Sequence, residues 1–480
     1  MFTGKKTKII CTMGPATEDD DVLRELIRSG MNIARFNFSH GSHEYHRNNV
    51  ERVRRIAKEL GANVAILLDT KGPEIRTGLL EGGHVQLETG AKVTVTTDMS
   101  VQGTAERFAL DYEQLPQDVT RGSIILIDDG LIELTVESVE GTEMHCVVDN
   151  GGELGEHKGV NVPNAKVNLP AVTLQDRKDL IFGCELGVDA VAASFVRSAA
   201  GVEEIKEILA DHGGDRICVL SKIECAEGVE NFDEILHASN GIMVARGDLG
   251  VEVPVARVPH LQKEMIEKCN RHYKTVIVAT QMLDSMIRNP RPTRAEVTDV
   301  ANAVLDGTDC IMLSGETAAG AYPVEAVQTM TSICLETEKF VHERNTYVDR
   351  GGARNVNGSI GCAAAEIANR VNAKAIVCPT QTGRTARLIS KFRSHEIVIA
   401  TSASPMTVRH TCFYWGVEGF LVPEQPTLST TINAAIELAK SRNYVAEDDY
   451  VVVTAGDPAT SPKQGTYTTS TNLVMVAQVH

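Results

Sequence analysis

Nowhere in the 480 residues does an uninterrupted apolar run reach the roughly 18 residues that mark a membrane-spanning helix, and no membrane partner is expected. Residues 1–10 set lysines ahead of strand-like residues with no apolar signal core behind them, so the expectation is an unexported, cytoplasmic protein. The 11 cysteines include no C-x-x-C pair, which suggests neither a disulfide framework nor a zinc site, and most are expected to act as small buried hydrophobes. Positive charge is scarce: 47 Lys and Arg against 64 Asp and Glu leave a net charge of −17. That field repels polyanions, and no basic run is interleaved with aromatics, so nucleic acid is excluded as an expected partner. An anionic small substrate must then be met by local cations and a metal. Neither G-x-x-x-x-G-K-[ST] nor G-x-G-x-x-G occurs, so a nucleotide is not expected through either loop.

What the chain does have is 42% hydrophobic content, enough for a large interior divided into about three domains. Short apolar runs alternate with longer amphipathic stretches, the pattern of βα units around a parallel sheet. Candidate strands fall at 7–12, 32–36, 65–68, 190–193, 217–220, 241–244, 276–279 and 311–313. Eight such units make a (β/α)8 barrel, expected over residues 1–70 and 170–343. Between them, residues 71–169 change to alternating strands with Gly-rich turns, which reads as an inserted small β-barrel domain placed as a lid. A Gly/Asn-rich stretch at 350–358 reads as a linker into a C-terminal α/β domain, 344–480, with strands expected at 375–378, 397–400, 417–422, 450–454 and 473–479.

Barrel active sites lie at the carboxyl ends of the strands. Six of the eight candidate strands run into polar residues there: Arg35, Asn37 and Ser39; Asp69 and Thr70; Lys222 and Glu224; Arg246 and Asp248; Thr280; Ser314 and Glu316. One polar strand end is usually an ordinary turn, whereas six on one rim point to a site. Lys222 and Glu224 are two apart and so share a side of an extended segment. With Asp248 from the next strand, Glu224 offers the one or two carboxylates through which Mg²⁺ is commonly held. The bland alternative for Lys222 and Glu224 is a local ion pair. Arg246-Gly-Asp248 spells an adhesion tripeptide, but the apolar strand before it and the absence of an export signal argue against that use. His40, His43 and His46 miss the H-E-x-x-H spacing and read as solvated histidines.

Longer blocks carry a family resemblance. Asn32-Ile-Ala-Arg-Phe-Asn-Phe-Ser-His-Gly41, Leu68-Asp-Thr-Lys-Gly-Pro-Glu-Ile-Arg-Thr-Gly78, Ser221-Lys-Ile-Glu224 and Met243-Val-Ala-Arg-Gly-Asp-Leu-Gly-Val-Glu252 resemble pyruvate kinase. So do Ala279-Thr-Gln-Met-Leu-Asp-Ser-Met286, Asn289-Pro-Arg-Pro-Thr-Arg-Ala-Glu296 and Met312-Leu-Ser-Gly-Glu-Thr-Ala318, all in the order of that family. The resemblance implies transfer of the phosphoryl group of phosphoenolpyruvate to ADP, giving pyruvate and ATP in glycolysis, by a cytoplasmic homotetramer. It implies that Glu224 and Asp248 hold Mg²⁺ (or Mn²⁺), that Arg35 and Lys222 contact the transferring phosphoryl, and that Ala245, Arg246, Gly247, Asp248 and Thr280 bind the substrate carboxylate. Asn37, Ser39, Asp69 and Thr70 would form a K⁺ site, and Arg76, Asn37 and His40 would meet the nucleotide. Ser314 and Glu316 would feed a proton to the enolate. Glu74 stands where cation-dependent members carry glutamate, which implies a K⁺ requirement. Thr380, Thr382, Gly383, Arg384 and Thr385 would form a sugar-phosphate effector site, with fructose 1,6-bisphosphate as first guess, although the loop 457–466 is longer than expected and lacks an arginine. Two rivals remain: a barrel aldolase or lyase using Lys222 as a Schiff base or a metal enolate, and a catalytically silent metabolite sensor.

Overall fold

The computed structural model describes residues 4–163, 165, 167–344, 356–456 and 471–480. Eight apolar segments pair in parallel in chain order: Lys8–Thr12, Met31–Asn37, Ala65–Asp69, Ala190–Ala193, Cys218–Ile223, Gly241–Ala245, Thr275–Ala279 and Cys310–Leu313. The eighth pairs with the first and closes a barrel. Each strand is apolar on both faces because both are covered. Ile10, Ile33, Leu67, Leu220, Met243 and Ile277 belong to one buried cluster, while the alternate residues Ile9, Phe36, Ile66, Val219 and Ile242 belong to another with the surrounding helices. The fifth strand runs three residues past its expected end at 220, because Ser221 and Lys222 find buried partners that let polar residues stay in the ladder.

Connections are set by local chemistry. Thr173 and Thr293 each form a capping box at the start of a barrel helix, and Gly187 and Gly307 end those helices in the left-handed region, where a residue without Cβ is unstrained. Among the described residues, no helix is long and apolar enough to cross a membrane. All 11 cysteines are free and most are buried.

The inserted domain leaves after the third strand and returns before the fourth. Its seven-stranded sheet runs from Ile75–Arg76 at one edge to Arg107–Ala109 at the other, and a bridge between Thr77 and Leu110 joins the two edges, so the sheet curls back on itself. Among the described residues the C-terminal domain carries five strands. Ala375–Pro379, Ile397–Ser402, Val417–Leu421 and Tyr450–Ala455 are parallel, and Leu473–Gln478 lies antiparallel at the edge. Of the expected linker, residues 350–355 lie outside the described residues, and 356–358 begin the helix Val356–Arg370 instead. The C-terminal domain docks on the amino-terminal end of the barrel. Arg409 Nε donates to Asp189 at 2.7 Å and Arg393 to Asp309 at 2.9 Å, just before the fourth and eighth strands.

Candidate active site

The polar strand ends converge on one rim around Asp69. The second and third strands place Asn37 opposite Asp69, and the Asp69 carboxylate is buried between two cations. Arg35 Nε donates to Asp69 Oδ2 at 2.5 Å, and Lys222 Nζ donates to Asp69 Oδ1 at 3.1 Å. Burial alone would raise the Asp69 carboxyl, but Arg35 and Lys222 outweigh it and hold it below the ordinary range. Lys222 also donates to Ser194 Oγ at 2.8 Å and lies 3.0 Å from Glu224 Oε1. Burial pulls the Lys222 ammonium down, yet Asp69 and Glu224 overcome it and keep the group above its usual value.

Glu224 is buried just past the fifth strand. Its Oε2 accepts from Phe195 N at 2.7 Å, while Oε1 makes no hydrogen bond despite its closeness to Lys222. Burial pushes its carboxyl up to about 7; Lys222 opposes this and Asp248 adds to it. Asp248 stands in the first turn of the helix Arg246–Glu252, close enough for its charge to be felt at Glu224. A buried carboxylate oxygen without a hydrogen bond and a second carboxylate whose charge reaches it are compatible with a divalent cation, which is commonly held through one or two carboxylates. Among the described residues no group of three or more His, Cys, Asp or Glu is arranged to hold a metal ion.

Thr280 follows the seventh strand at φ +68, with Gln281 next at +52. A β-branched residue in the left-handed region costs about 1–3 kcal/mol and persists only where surroundings over-determine it. The constraint is visible. Thr280 Oγ1 donates to Ala279 O at 2.6 Å and accepts from Gly247 N at 2.9 Å, and the Arg246 guanidinium donates to Thr280 O at 2.7 Å and to Asp299 at 2.8 Å. The Arg246 side chain thus braces the end of the seventh strand.

Other expected residues have different surroundings. Glu316 is buried and accepts from Ser314 N at 2.7 Å and Leu283 N at 3.1 Å, so it ties the last two strand loops together, and burial raises its carboxyl. Ser39 N donates to Asn37 Oδ1 at 3.1 Å, and Thr70 Oγ1 accepts from Ser194 N at 3.1 Å. Glu74 pairs with Arg76, whose Nε lies 2.9 Å from Glu74 Oε2. His40 is exposed. The expectation of solvated histidines fails at His46, which is buried, stacks on Phe38 at 4.1 Å and donates to His40 O at 2.8 Å. His43 stacks on Phe182 and lies 2.6 Å from Asp179. Aromatic neighbours supply a packing reason that spacing alone does not reveal.

Several rim residues went unread. Thr12, at the end of the first strand, accepts from Arg35 at 2.9 Å, and Ser194 follows the fourth strand. Both were available from the rule applied to the other six strands. Across the cleft, the inserted domain contributes Asp129, whose carboxyl is raised by burial and by Asp248, and Asn161, which donates to Glu252 at 2.8 Å.

In the C-terminal domain a cavity of about 960 Å³ is lined by Thr380, Thr382, Arg384 and Thr385 together with Ser402 and Thr431. Gly383 makes the turn at φ +79, and its N–H donates to Thr380 Oγ1 at 3.0 Å. The loop 457–466 lies outside the described residues.

Comparison with known proteins agrees across the chain. Residues 4–327 match a family model described as the pyruvate kinase barrel domain, and residues 358–477 one described as the pyruvate kinase alpha/beta domain. A pyruvate kinase of Clostridium acetobutylicum is 47% identical over 456 residues, covering 95% of this chain and 96% of its own. One of Geobacillus stearothermophilus is 48% identical over 476 residues, covering 98% and 80%. A crystal structure of a pyruvate kinase from Cryptosporidium parvum superposes with a TM-score of 0.93 at 41% identity, over 100% of this chain and 97% of that one.

Proposed function

The chain belongs to the pyruvate kinase family, and we propose that the rim built around Asp69, Lys222, Glu224 and Asp248 is where its reaction takes place. The enzyme transfers the phosphoryl group of phosphoenolpyruvate to ADP, giving pyruvate and ATP. The observation that carries the site assignment is Lys222, a buried ammonium set between two carboxylates beside an oxygen that no hydrogen bond satisfies.

Phosphoryl transfer asks a protein mainly for positioning and for positive charge where negative charge spreads. Lys222 and Arg35 supply two cations held by one carboxylate, so neither needs to reorganise when the phosphoryl moves. Glu224 and Asp248 would hold Mg²⁺ or Mn²⁺, which supplies further positive charge to the substrate oxygens. The backbone of the turn at 245–248 and the Thr280 hydroxyl would fix the carboxylate end of the substrate. Asn37, Ser39, Asp69 and Thr70 would offer hard oxygens to K⁺. Arg76, with Asn37 and His40, would meet the ADP phosphates, and the inserted domain would close over the rim and exclude water that competes for the phosphoryl. Ser314 and Glu316 would feed a proton to the enolate.

A Schiff-base aldolase reading needs a neutral amine. Lys222 is instead held as an ammonium by Asp69 and Glu224. The cavity at 380–385 is assigned to a sugar phosphate, and the assembly to a cytoplasmic homotetramer. A coupled assay decides the core of this reading: pyruvate should form from phosphoenolpyruvate only when ADP and a divalent cation are both present. ADP-independent release would reject it, and titration of sugar mono- and bisphosphates in the same assay tests the effector cavity, since no shift in phosphoenolpyruvate saturation would remove that assignment.

A further inference from the structure

Both chain crossings between the barrel and the inserted domain touch one turn, residues 194–197, which follows the fourth barrel strand. On the outgoing crossing, Gly72 lies so close that a Cβ there would fall 2.7 Å from Ser194 Cβ and 3.1 Å from Phe195 Cδ2. On the return crossing, the Arg197 guanidinium donates to the backbone carbonyls of Val167 at 3.0 Å, Leu169, and Pro170 at 3.4 Å. The inserted domain holds the same segment from its own side, where Tyr112 Oη accepts from Asn168 N at 2.9 Å. A cavity of about 360 Å³ lies beside this segment, lined by Leu169, Phe195 and Arg197.

The turn's other contacts reach the rim. Ser194 Oγ accepts from Lys222 Nζ at 2.8 Å, and Phe195 N donates to Glu224 Oε2 at 2.7 Å. Phe195 sits at φ +52, an unfavourable conformation for a bulky residue that survives only where both sides of the turn are fixed. Arg197 O accepts from Asn231 Nδ2 at 2.8 Å, which braces the turn against the barrel. A short turn braced in this way is not free to move at one end alone.

We propose that residues 194–197 form the fulcrum on which the inserted domain turns, and that Arg197 is a positioning residue for phosphoryl transfer. Through the turn, the placement of the return segment sets where Phe195 N and Ser194 Oγ meet Glu224 and Lys222. The inference rests on the reading of Glu224 as a metal carboxylate and of the inserted domain as a lid. Hydrogen-bond partners of a metal-holding carboxylate commonly contribute 10- to 100-fold in metal affinity or activity. Arginine is suited to the task because its planar fork spans several carbonyls, which a lysine ammonium does not.

The test uses Arg197→Ala, Arg197→Lys and Glu224→Gln in the full-length enzyme. Mn²⁺ affinity is measured by electron paramagnetic resonance without substrates, kcat and KM by coupled assay, and amide exchange at residues 72–76 and 167–170 by mass spectrometry. Arg197→Ala should weaken Mn²⁺ binding about tenfold, lower kcat about 10- to 100-fold and speed exchange at both crossings, with Arg197→Lys between it and wild type. Glu224→Gln keeping wild-type Mn²⁺ affinity would overturn the metal reading on which the inference stands. Loss of Mn²⁺ in Glu224→Gln with wild-type Mn²⁺ affinity and kcat in Arg197→Ala would overturn the fulcrum alone. Should Arg197→Ala not fold, wild-type Mn²⁺ affinity and kcat in Arg197→Lys overturn it equally.

Discussion

Replacing Lys222 by methionine keeps most of the side chain's length and removes its charge. At an effective dielectric of about 20, a unit charge about 3 Å from a carboxylate is attracted by about 5 kcal/mol before desolvation is counted, and Lys222 has two such neighbours. Leaving a buried charge uncompensated ordinarily destabilises by about 3–5 kcal/mol. Here the structure provides two releases. Asp69 keeps Arg35, and Glu224, whose carboxyl already sits at about 7, rises further and takes up a proton at neutral pH instead of staying charged. The expected outcome is a folded protein with turnover reduced by about 10³- to 10⁵-fold, or about 4–7 kcal/mol of transition-state stabilisation. Circular dichroism and a thermal melt check the first half, and the ADP-coupled assay checks the second. A mutant that keeps a tenth of wild-type turnover would refute the role of Lys222, and one that is unfolded at pH 7 would refute the proton-uptake argument.

Two further outcomes follow from named contacts. Activity should require K⁺ and be lost in tetramethylammonium at constant ionic strength; full activity without K⁺ would reject the site at Asn37, Ser39, Asp69 and Thr70, and Glu74→Lys rescuing K⁺-free activity would show that a charge at Glu74 matters beyond its pairing with Arg76. His410 is buried where the C-terminal domain meets the barrel, donates to Asp189 O at 3.1 Å and is depressed to about 4, chiefly by burial. The unfolded chain therefore binds a proton at His410 below about 6.5 that the folded chain refuses, so stability is intact above that pH and falls by up to about 1.4 kcal/mol per unit toward pH 4; denaturant midpoints of wild type and His410→Gln that decline in parallel over this range would contradict it.

How much of this was readable in the sequence depends on the range of the interaction. Barrel strands announce themselves as apolar runs because both faces are covered, and their edges moved by only a few residues. Polar residues at strand ends follow from the same local pattern, which extends to Thr12 and Ser194 on the first and fourth strands. What a long side chain grasps is another matter. Arg246 stands in the block that resembles a substrate-binding turn, yet its guanidinium reaches Asp299, 53 positions on. Glu316 reads as an acid at a strand end, yet two backbone N–H groups occupy its oxygens. Asp129 and Asn161 face the rim only because a sheet curls and a whole domain folds back, and no periodicity encodes that placement.

The same strands whose tops carry the chemistry are fixed from below by the other domain. The fourth strand runs from Asp189, which Arg409 holds, to Ser194, which holds Lys222. The eighth runs from Asp309, held by Lys391 and Arg393, to Ser314. The fifth starts two residues after Arg216, which donates to Thr407 Oγ1 at 2.7 Å, and Thr407 in turn holds the carbonyl of Gln381 at 2.8 Å on the wall of the large C-terminal cavity. A strand of four to six residues is only about 13–20 Å long, so each is a short rigid link between a contact of the C-terminal domain and a residue of the rim. Buried ion pairs are weak evidence for stability, because desolvation cancels much of their attraction. Their geometry nevertheless admits few alternatives. A domain docked by Asp189 and Asp309 has little freedom to slide, and Thr407 and Arg216 link residues 380–385 to the base of the fifth strand.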